Sequence, residues 1–149
     1  MPTDETARLE ITTDLRRIDL DVVHRWLSTD AYWALGRTRA VMQSAADGSL
    51  NFGALDAEGH LLGYARVITD STTFAWVCDV YVDPDARGRG VGVQLMEGIT
   101  AHLEPLALKR TVLTTLDAHG LYERFGFTPL PQPERWMVAL GDHPGHFTS

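Results

Sequence analysis

The stretch that most narrows what this chain can fold into is Arg87-Gly88-Arg89-Gly90-Val91-Gly92. Before it lies a run of aromatic and β-branched residues stopped by Asp83-Pro84-Asp85, which predicts a strand over 73–82. After it, Leu95, Met96, Ile99 and Leu103 recur at helical spacing, which predicts a helix over 90–104 with Pro105 beyond its end. A strand, a glycine-rich turn and a helix in succession make an anion site. Glycine lets the backbone come close to a ligand and take φ values that other residues avoid. The first N–H groups of the helix have no intrahelical acceptor, and the helix dipole adds partial positive charge there. Arg87 and Arg89 add full charges, and the matching guest is a pyrophosphate.

Such a loop has few known forms. A P-loop ends in Gly-Lys-Ser/Thr, whereas Val91-Gly92-Val93 has neither the lysine nor the hydroxyl. A dinucleotide fingerprint begun at Gly88 and Gly90 needs a further glycine where Val93 stands, and an early place in a βαβ unit. Here several antiparallel-looking strands come first. Strands are predicted at 9–13, 50–56, 61–69, 73–82, 109–115 and 135–140, with a hairpin turn at Asp56-Ala57-Glu58-Gly59. Helices are predicted at 19–27, where Leu20, Val23 and Leu27 share a face, at 36–46, and from a cap at Asp117 through Phe125, with Gly126 as a left-handed stop. The order predicts an α/β fold, a mixed sheet with helices on both faces.

Composition narrows the function. A length of 149 residues suits one domain over 1–149, with 141–149 a loose tail whose His143 and His146 are read as part of a polar end rather than a metal site. The net charge of −7, without a basic stripe, argues against nucleic-acid binding. It is compatible with a cationic substrate, with simple solubility the preferred reading. Cys78 is the single cysteine, so no intrachain disulfide forms. The polar start Met1-Pro2-Thr3-Asp4-Glu5 has no signal-peptide pattern, and no apolar stretch approaches a membrane span, so a cytoplasmic setting without a membrane partner is expected.

Two motifs carry a family resemblance. The run from Cys78-Asp79-Val80-Tyr81-Val82-Asp83-Pro84 to Arg87-Gly88-Arg89-Gly90-Val91-Gly92 resembles the pyrophosphate motif of the GNAT acetyltransferases, with Arg87, Gly90 and Gly92 at its pattern positions. Leu121-Tyr122-Glu123-Arg124-Phe125-Gly126-Phe127 resembles the second signature of that family. The stretch 117–122 and the run Pro133-Glu134-Arg135-Trp136-Met137 are also similar to a small subgroup of stand-alone GNAT enzymes. The resemblance implies the GNAT fold, with a mostly antiparallel sheet of six to seven strands, and implies acetyl-CoA as co-substrate without a metal. It implies that the backbone of Val80 and Val82 holds the pantetheine arm where the fourth and fifth strands part, that residues 87–93, including Val91 and Val93, bind the pyrophosphate, and that Tyr122 protonates the departing thiolate. Arg87 and Arg89 are read either as phosphate contacts or as solvated surface residues.

The sequence departs from the family in two places. Thr115 stands where many members have a coenzyme-contacting Asn, and Cys78 where many have a catalytic Glu. Asp79 is therefore the first candidate for general base or amine anchor, with a structural hydrogen-bonding role as the alternative. Cys78 is read against as an acetyl-carrying nucleophile, since no His or Asn partner accompanies it. Acceptor-pocket candidates are Trp26, Tyr32, Trp33, Arg37, Phe52 and Cys78, with Arg135 and Trp136 from the last strand; core packing is the competing reading for each. Of the scattered histidines, His119 lies beside the Tyr122 helix. The expected reaction is acetyl transfer to an amine by direct attack in a ternary complex, with a small-molecule acceptor preferred to a protein amine. A non-catalytic acyl-CoA sensor on the same fold is the rival reading. The resemblance also implies a possible homodimer.

Overall fold

In the computed structural model, which describes residues 8–141, five strands form one sheet in the order β1-β2-β3-β4-β5. They are β1 (Glu10–Thr12), β2 (Leu50–Leu55), β3 (Leu61–Thr69), β4 (Phe74–Val82) and β5 (Arg110–Val112). The first four pair antiparallel, and β5 runs parallel to β4. A parallel pair needs a crossover, which α3 (Val91–Leu103) supplies. Helices α1 (Leu20–Asp30) and α2 (Arg39–Asp47) lie on the opposite face, and α4 (His119–Glu123) follows β5.

Strand alternation divides the core into two. Phe52, Ala54, Ala65, Val67, Ala75 and Val77 meet Val91, Leu95, Met96 and Ile99 of α3 on one face. Tyr64 and Tyr81 meet Leu20, Val23, Leu27, Met42 and Ala46 of α1 and α2 on the other. The three alanines facing α3 let that helix sit close to the sheet, and Gly63 takes this furthest. A Cβ on Gly63 would lie 2.9 Å from Val91 Cγ1 and 3.0 Å from Leu95 Cδ1.

Several predicted boundaries move, each for a local reason. Asp19 caps α1 by accepting the Asp21 and Val22 amides, and the predicted apolar face of Leu20, Val23 and Leu27 is the buried one. The second helix begins at Arg39 rather than 36, because Gly36 turns left-handed (φ 76°), Arg37 enters the interior, and Thr38 is the cap. Asp117 caps nothing. Thr115 Oγ1 instead accepts the Ala118 amide at 3.0 Å, and α4 begins at His119. Gly126 is the left-handed stop that was predicted (φ 90°).

The strand predicted over 109–115 pairs only through Val112, since its register with β4 ends at Trp76. The strand predicted over 135–140 does not form. A 3₁₀ turn at Pro133–Arg135 leads into irregular chain, so among the described residues the sheet has five strands instead of six to seven. The tail residues 142–149, with His143 and His146, lie outside the described residues.

Close approach of α3 to β3 makes a sharp prediction. Gly63→Ala overpacks the Val91 and Leu95 contacts and lowers stability by about 1–3 kcal/mol, read as the shift in urea unfolding midpoint.

Candidate active site

The glycine-rich loop leaves β4 through a 3₁₀ turn, Pro84–Ala86, in which the Asp83 carboxylate accepts the Asp85 amide at 3.0 Å. Gly88 (φ 82°) and Gly90 (φ 77°) then take left-handed conformations that a side chain would strain. Gly90 caps α3 with no side-chain acceptor, and the first helical bond runs from the Gln94 amide to the Gly90 carbonyl at 3.0 Å. The amides of Val91, Gly92 and Val93 are thus left without intrahelical acceptors at the positive end of a 13-residue helix. The nearby arginines are held by their own chain. Arg87 Nε donates to the Val82 carbonyl at 3.2 Å, its guanidinium lies over the Tyr81 ring, and its Nη2 meets Asp30 at 3.4 Å. Arg89 Nη2 donates to the Asp85 carbonyl at 2.8 Å. Backbone, more than arginine side chains, supplies the uncommitted donors.

Beside this loop, β4 and β5 part. Their parallel register covers only Phe74 to Trp76, so β4 from Val77 to Val82 has β3 as its single strand partner among the described residues. Half-buried Val80 and Val82 lie on this stretch. A Cβ on Gly92 would come within 3.5 Å of Leu121 Cδ2 and 3.9 Å of Val82 Cγ2, so the start of α3, the end of β4 and α4 converge. Tyr122 of α4 is buried, and its ring meets Phe127 edge-on at 6.0 Å. Burial, with the charges of Asp117 and Tyr32, pushes the Tyr122 phenol up to about 12. Among the described residues, none hydrogen-bonds the Tyr122 hydroxyl.

The centre of β4 carries a bulge. Two steps on β3, from Tyr64 to Arg66, span three on β4, from Tyr81 back to Cys78. Asp79 is at the bulge with φ 54°, a conformation more often given to glycine. Its carboxylate is surrounded by donors: Arg37 Nη1 at 2.7 Å, Arg66 Nε at 2.9 Å and Trp33 Nε1 at 2.9 Å. Burial opposes the charge of Asp79, but the hydrogen bond from Arg37 and the charges of Arg66 and Arg37 outweigh it and hold the carboxyl below its usual value. Cys78 next to it is half-buried, and burial raises its thiol to about 11, so it is protonated at neutral pH.

The structure gathers some sequence-predicted pocket residues and separates others. Trp26 stacks on Tyr81 at 5.6 Å, Tyr32 meets Trp33 edge-on at 5.0 Å, and Trp33 and Arg37 converge on Asp79. Phe52 is elsewhere. Strand parity turns it to the α3 face, where it contacts His102 at 5.8 Å. Arg135, in the 3₁₀ turn, donates to Gln132 Oε1 at 2.6 Å, and Trp136, just after it, receives the Arg110 guanidinium over its ring at 5.4 Å, so neither stands on the predicted strand. Thr115 and exposed His119 border Tyr122 along a trough of about 1410 Å³, which also runs beside β5. Arg66, Tyr81 and Asp30 escaped sequence reasoning. Arg66 was visible as a cation at the centre of an apolar strand, but its partner lies 13 residues away.

These features match known proteins. Residues 20–127 fit the sequence profile of the acetyltransferase (GNAT) family. The chain belongs to the GNAT acetyltransferases. The general reaction of this family is acetyl transfer from acetyl-CoA. A Xanthomonas campestris pv. campestris protein (xcc2953), assigned by inference to the GNAT acetyltransferases, is similar in structure with a TM-score of 0.86. It is 41% identical, over 94% of this chain and 96% of its own. A Gibberella zeae protein (FG08082), classed by inference as an acetyltransferase, is 27% identical over 131 residues, 75% of this chain and 74% of its own. Rv2747 of Mycobacterium tuberculosis, solved in complex with CoA, shares the fold with a TM-score of 0.67 at 20% identity, over 83% of this chain and 76% of its own. Among the described residues, no helix is long and apolar enough to cross a membrane.

The buried Asp79 cluster sets a testable stability. Asp79→Asn leaves Arg37 and Arg66 short of their counter-charge and costs about 3–5 kcal/mol in chemical unfolding. The folded pKa of Asp79 lies below its unfolded value of about 3.9, so its contribution is complete above that value and is lost as pH falls through the folded one. Wild-type stability therefore drops on the acid side of about pH 4, and the Asn variant lacks that component of the drop.

Proposed function

We propose that this GNAT protein transfers the acetyl group of acetyl-CoA to a small-molecule amine by direct attack in a ternary complex. The observation that carries the reading is the convergence, in one cleft, of the uncapped start of α3, the unpaired edge of β4 and the Tyr122 hydroxyl. The residues fit the coenzyme. Gly88 and Gly90 have open space where a Cβ would stand, and the amides of Val91, Gly92 and Val93 can take a pyrophosphate. The backbone of Val80 and Val82 suits an arm laid along the strand edge. When bound, the coenzyme supplies the activated thioester.

Tyr122 acts by donating a hydrogen bond. A phenol at about 12 is protonated at neutral pH. Full proton transfer to a thiolate of ordinary pKa about 8.5 is uphill by about 5 kcal/mol, so stabilisation grows with charge on the sulfur and a free phenolate is not required. Asp79, with three donors on its carboxylate, positions the bulge, Arg37 and Trp33 in preference to taking a proton from the amine. Tyr32 and Trp33 offer an aromatic wall to a cationic acceptor, which must lose its proton before attack. The engagement of Asp79 also favours a second reading, a sensor that binds acyl-CoA without turnover, because three of the carboxylate's roughly four lone-pair sites are already taken by Arg37, Arg66 and Trp33.

Two variants and a thiol control separate these readings. Gly92→Glu places a carboxylate among the amides that receive the pyrophosphate, and calorimetry with acetyl-CoA is expected to show at least a tenfold loss of affinity. A folded variant that binds as well as the wild type would remove the coenzyme from this loop. Tyr122→Phe keeps the ring packing and is expected to lower kcat by about 10²–10⁴ with coenzyme affinity retained. Full turnover in that variant, with acetyl transfer as the slow step, overturns the donor role. Cys78→Ala is expected to retain turnover. Saturable coenzyme binding with no coenzyme A release across a broad amine panel supports the sensor.

A further inference from the structure

Asp30 stands where an acid is locally unfavourable. It is the last residue of α1, at the negative end of the helix dipole, and no basic residue accompanies it in that turn. Two residues from a distant segment compensate it. The Tyr81 hydroxyl donates to Asp30 Oδ2, and Arg87 Nη2 approaches the same oxygen at 3.4 Å. Burial, and then the bond to Asp30, pushes the Tyr81 phenol up to about 12, so it is a donor at neutral pH. The Arg87 guanidinium lies over the Tyr81 ring at 5.2 Å, and Trp26 packs on the same ring at 5.6 Å.

The remaining contact of Arg87 lies on the open edge of β4. The Asp83 amide donates to the Leu62 carbonyl at 2.9 Å. In an antiparallel ladder Val82, one residue earlier, therefore turns its own N–H and carbonyl away from β3. Arg87 Nε donates to that outward carbonyl at 3.2 Å. The guanidinium thus sits in a corner between the strand edge, the Tyr81 ring and the end of α1, against the edge that suits the pantetheine arm.

Arg87 is placed to leave that corner. Its side chain is 52% exposed and that of Asp30 55%, and an ion pair so open to water and salt is weak. Only Gly88, Arg89 and Gly90 separate it from the free amides of Val91, Gly92 and Val93, and both glycines have open space around them. Two phosphates at those amides present a guanidinium with several charged oxygens, whereas Asp30 offers one oxygen already shared with a phenol.

We propose that Asp30 and Tyr81 are positioning residues for the coenzyme: in its absence they hold Arg87 against the edge of β4, and in its presence Arg87 leaves Asp30 for the pyrophosphate and uncovers the Val82 carbonyl. The inference rests on the coenzyme reading given above. It also ties the loop to α1. Once Arg87 leaves, Asp30 is a carboxylate without a counter-charge, directly before the Ala31-Tyr32-Trp33 segment that carries the aromatic wall.

The test is acetyl-CoA affinity by calorimetry at low ionic strength, in a double-mutant cycle of Asp30→Asn and Arg87→Gln. Asn keeps an acceptor for Tyr81 and removes charge from an exposed helix end, and circular dichroism checks that each variant is folded. Asp30→Asn frees Arg87 and is expected to bind acetyl-CoA about two- to fivefold tighter than wild type. Arg87→Gln is expected to bind more weakly, and Asp30→Asn added to it to change nothing further. Unchanged or weaker binding by Asp30→Asn overturns the inference, as does an Arg87→Gln variant with wild-type affinity. A gain that persists in the Arg87→Gln background also overturns it, since Asp30 then acts by repelling the phosphates and not through Arg87. These outcomes leave the coenzyme reading standing, whereas a folded wild type that does not bind acetyl-CoA removes both.

Discussion

The Asp79 carboxylate is the interaction on which the rest of the cleft depends. It is buried in the middle of β4 and satisfied by Arg37, Arg66 and Trp33, which come from the α1–α2 connection and from β3. A buried charge without partners is far too costly to persist, so these three segments are held together wherever Asp79 stays ionised. The same residue takes the left-handed conformation of the bulge. The bulge redirects β4 after Cys78, which turns Tyr81 onto the helical face and carries Val82 to the start of the glycine-rich loop. Arg37 Nε has no hydrogen-bond partner among the described residues, a sign that charge compensation here outranks complete hydrogen bonding.

A second constraint is the shortness of the β4–β5 contact. Three paired residues suffice to fix a parallel strand because α3 packs over the sheet between them. Beyond them the strands separate, and the gap is closed from above by α4, through Leu121 against Gly92, instead of by further backbone pairing. A cleft that opens between strands exposes backbone donors and acceptors along its wall, which helices on a closed face cannot do. The fold therefore makes its binding surface by leaving a sheet incomplete.

Legibility from sequence varied with the range of the interaction responsible. The glycine loop, the stop at Gly126 and the amphipathic faces of α1 and α3 were readable because each depends on residues within one or two turns. Thr115 takes the place of Asp117 at the start of α4 for an equally local reason, but which nearby polar side chain reaches the Ala118 amide is set by backbone angles that sequence does not give. Phe52 was misplaced among the pocket aromatics because a strand with both faces buried gives no alternation from which to read its parity. The strand expected over 135–140 has the right residue pattern, yet a strand exists only with a neighbour, and the neighbour is not contiguous in the chain.

The sequence by itself determined the family, the order of elements, the loop that presents free amides and the tyrosine near it, since these are written in short motifs whose geometry is local. Only the tertiary structure decided that Asp79 is enclosed by two arginines and a tryptophan, that Cys78 is kept protonated, that Arg87 folds back onto Tyr81 and Asp30, and that the apolar residues after the Pro133–Arg135 turn stay out of the sheet. The physical reason is range. Helix periodicity, caps and glycine turns are set within a few residues, while charge pairing, burial and strand partnership depend on groups far apart in the chain, such as Asp30 and Arg87 at 57 positions.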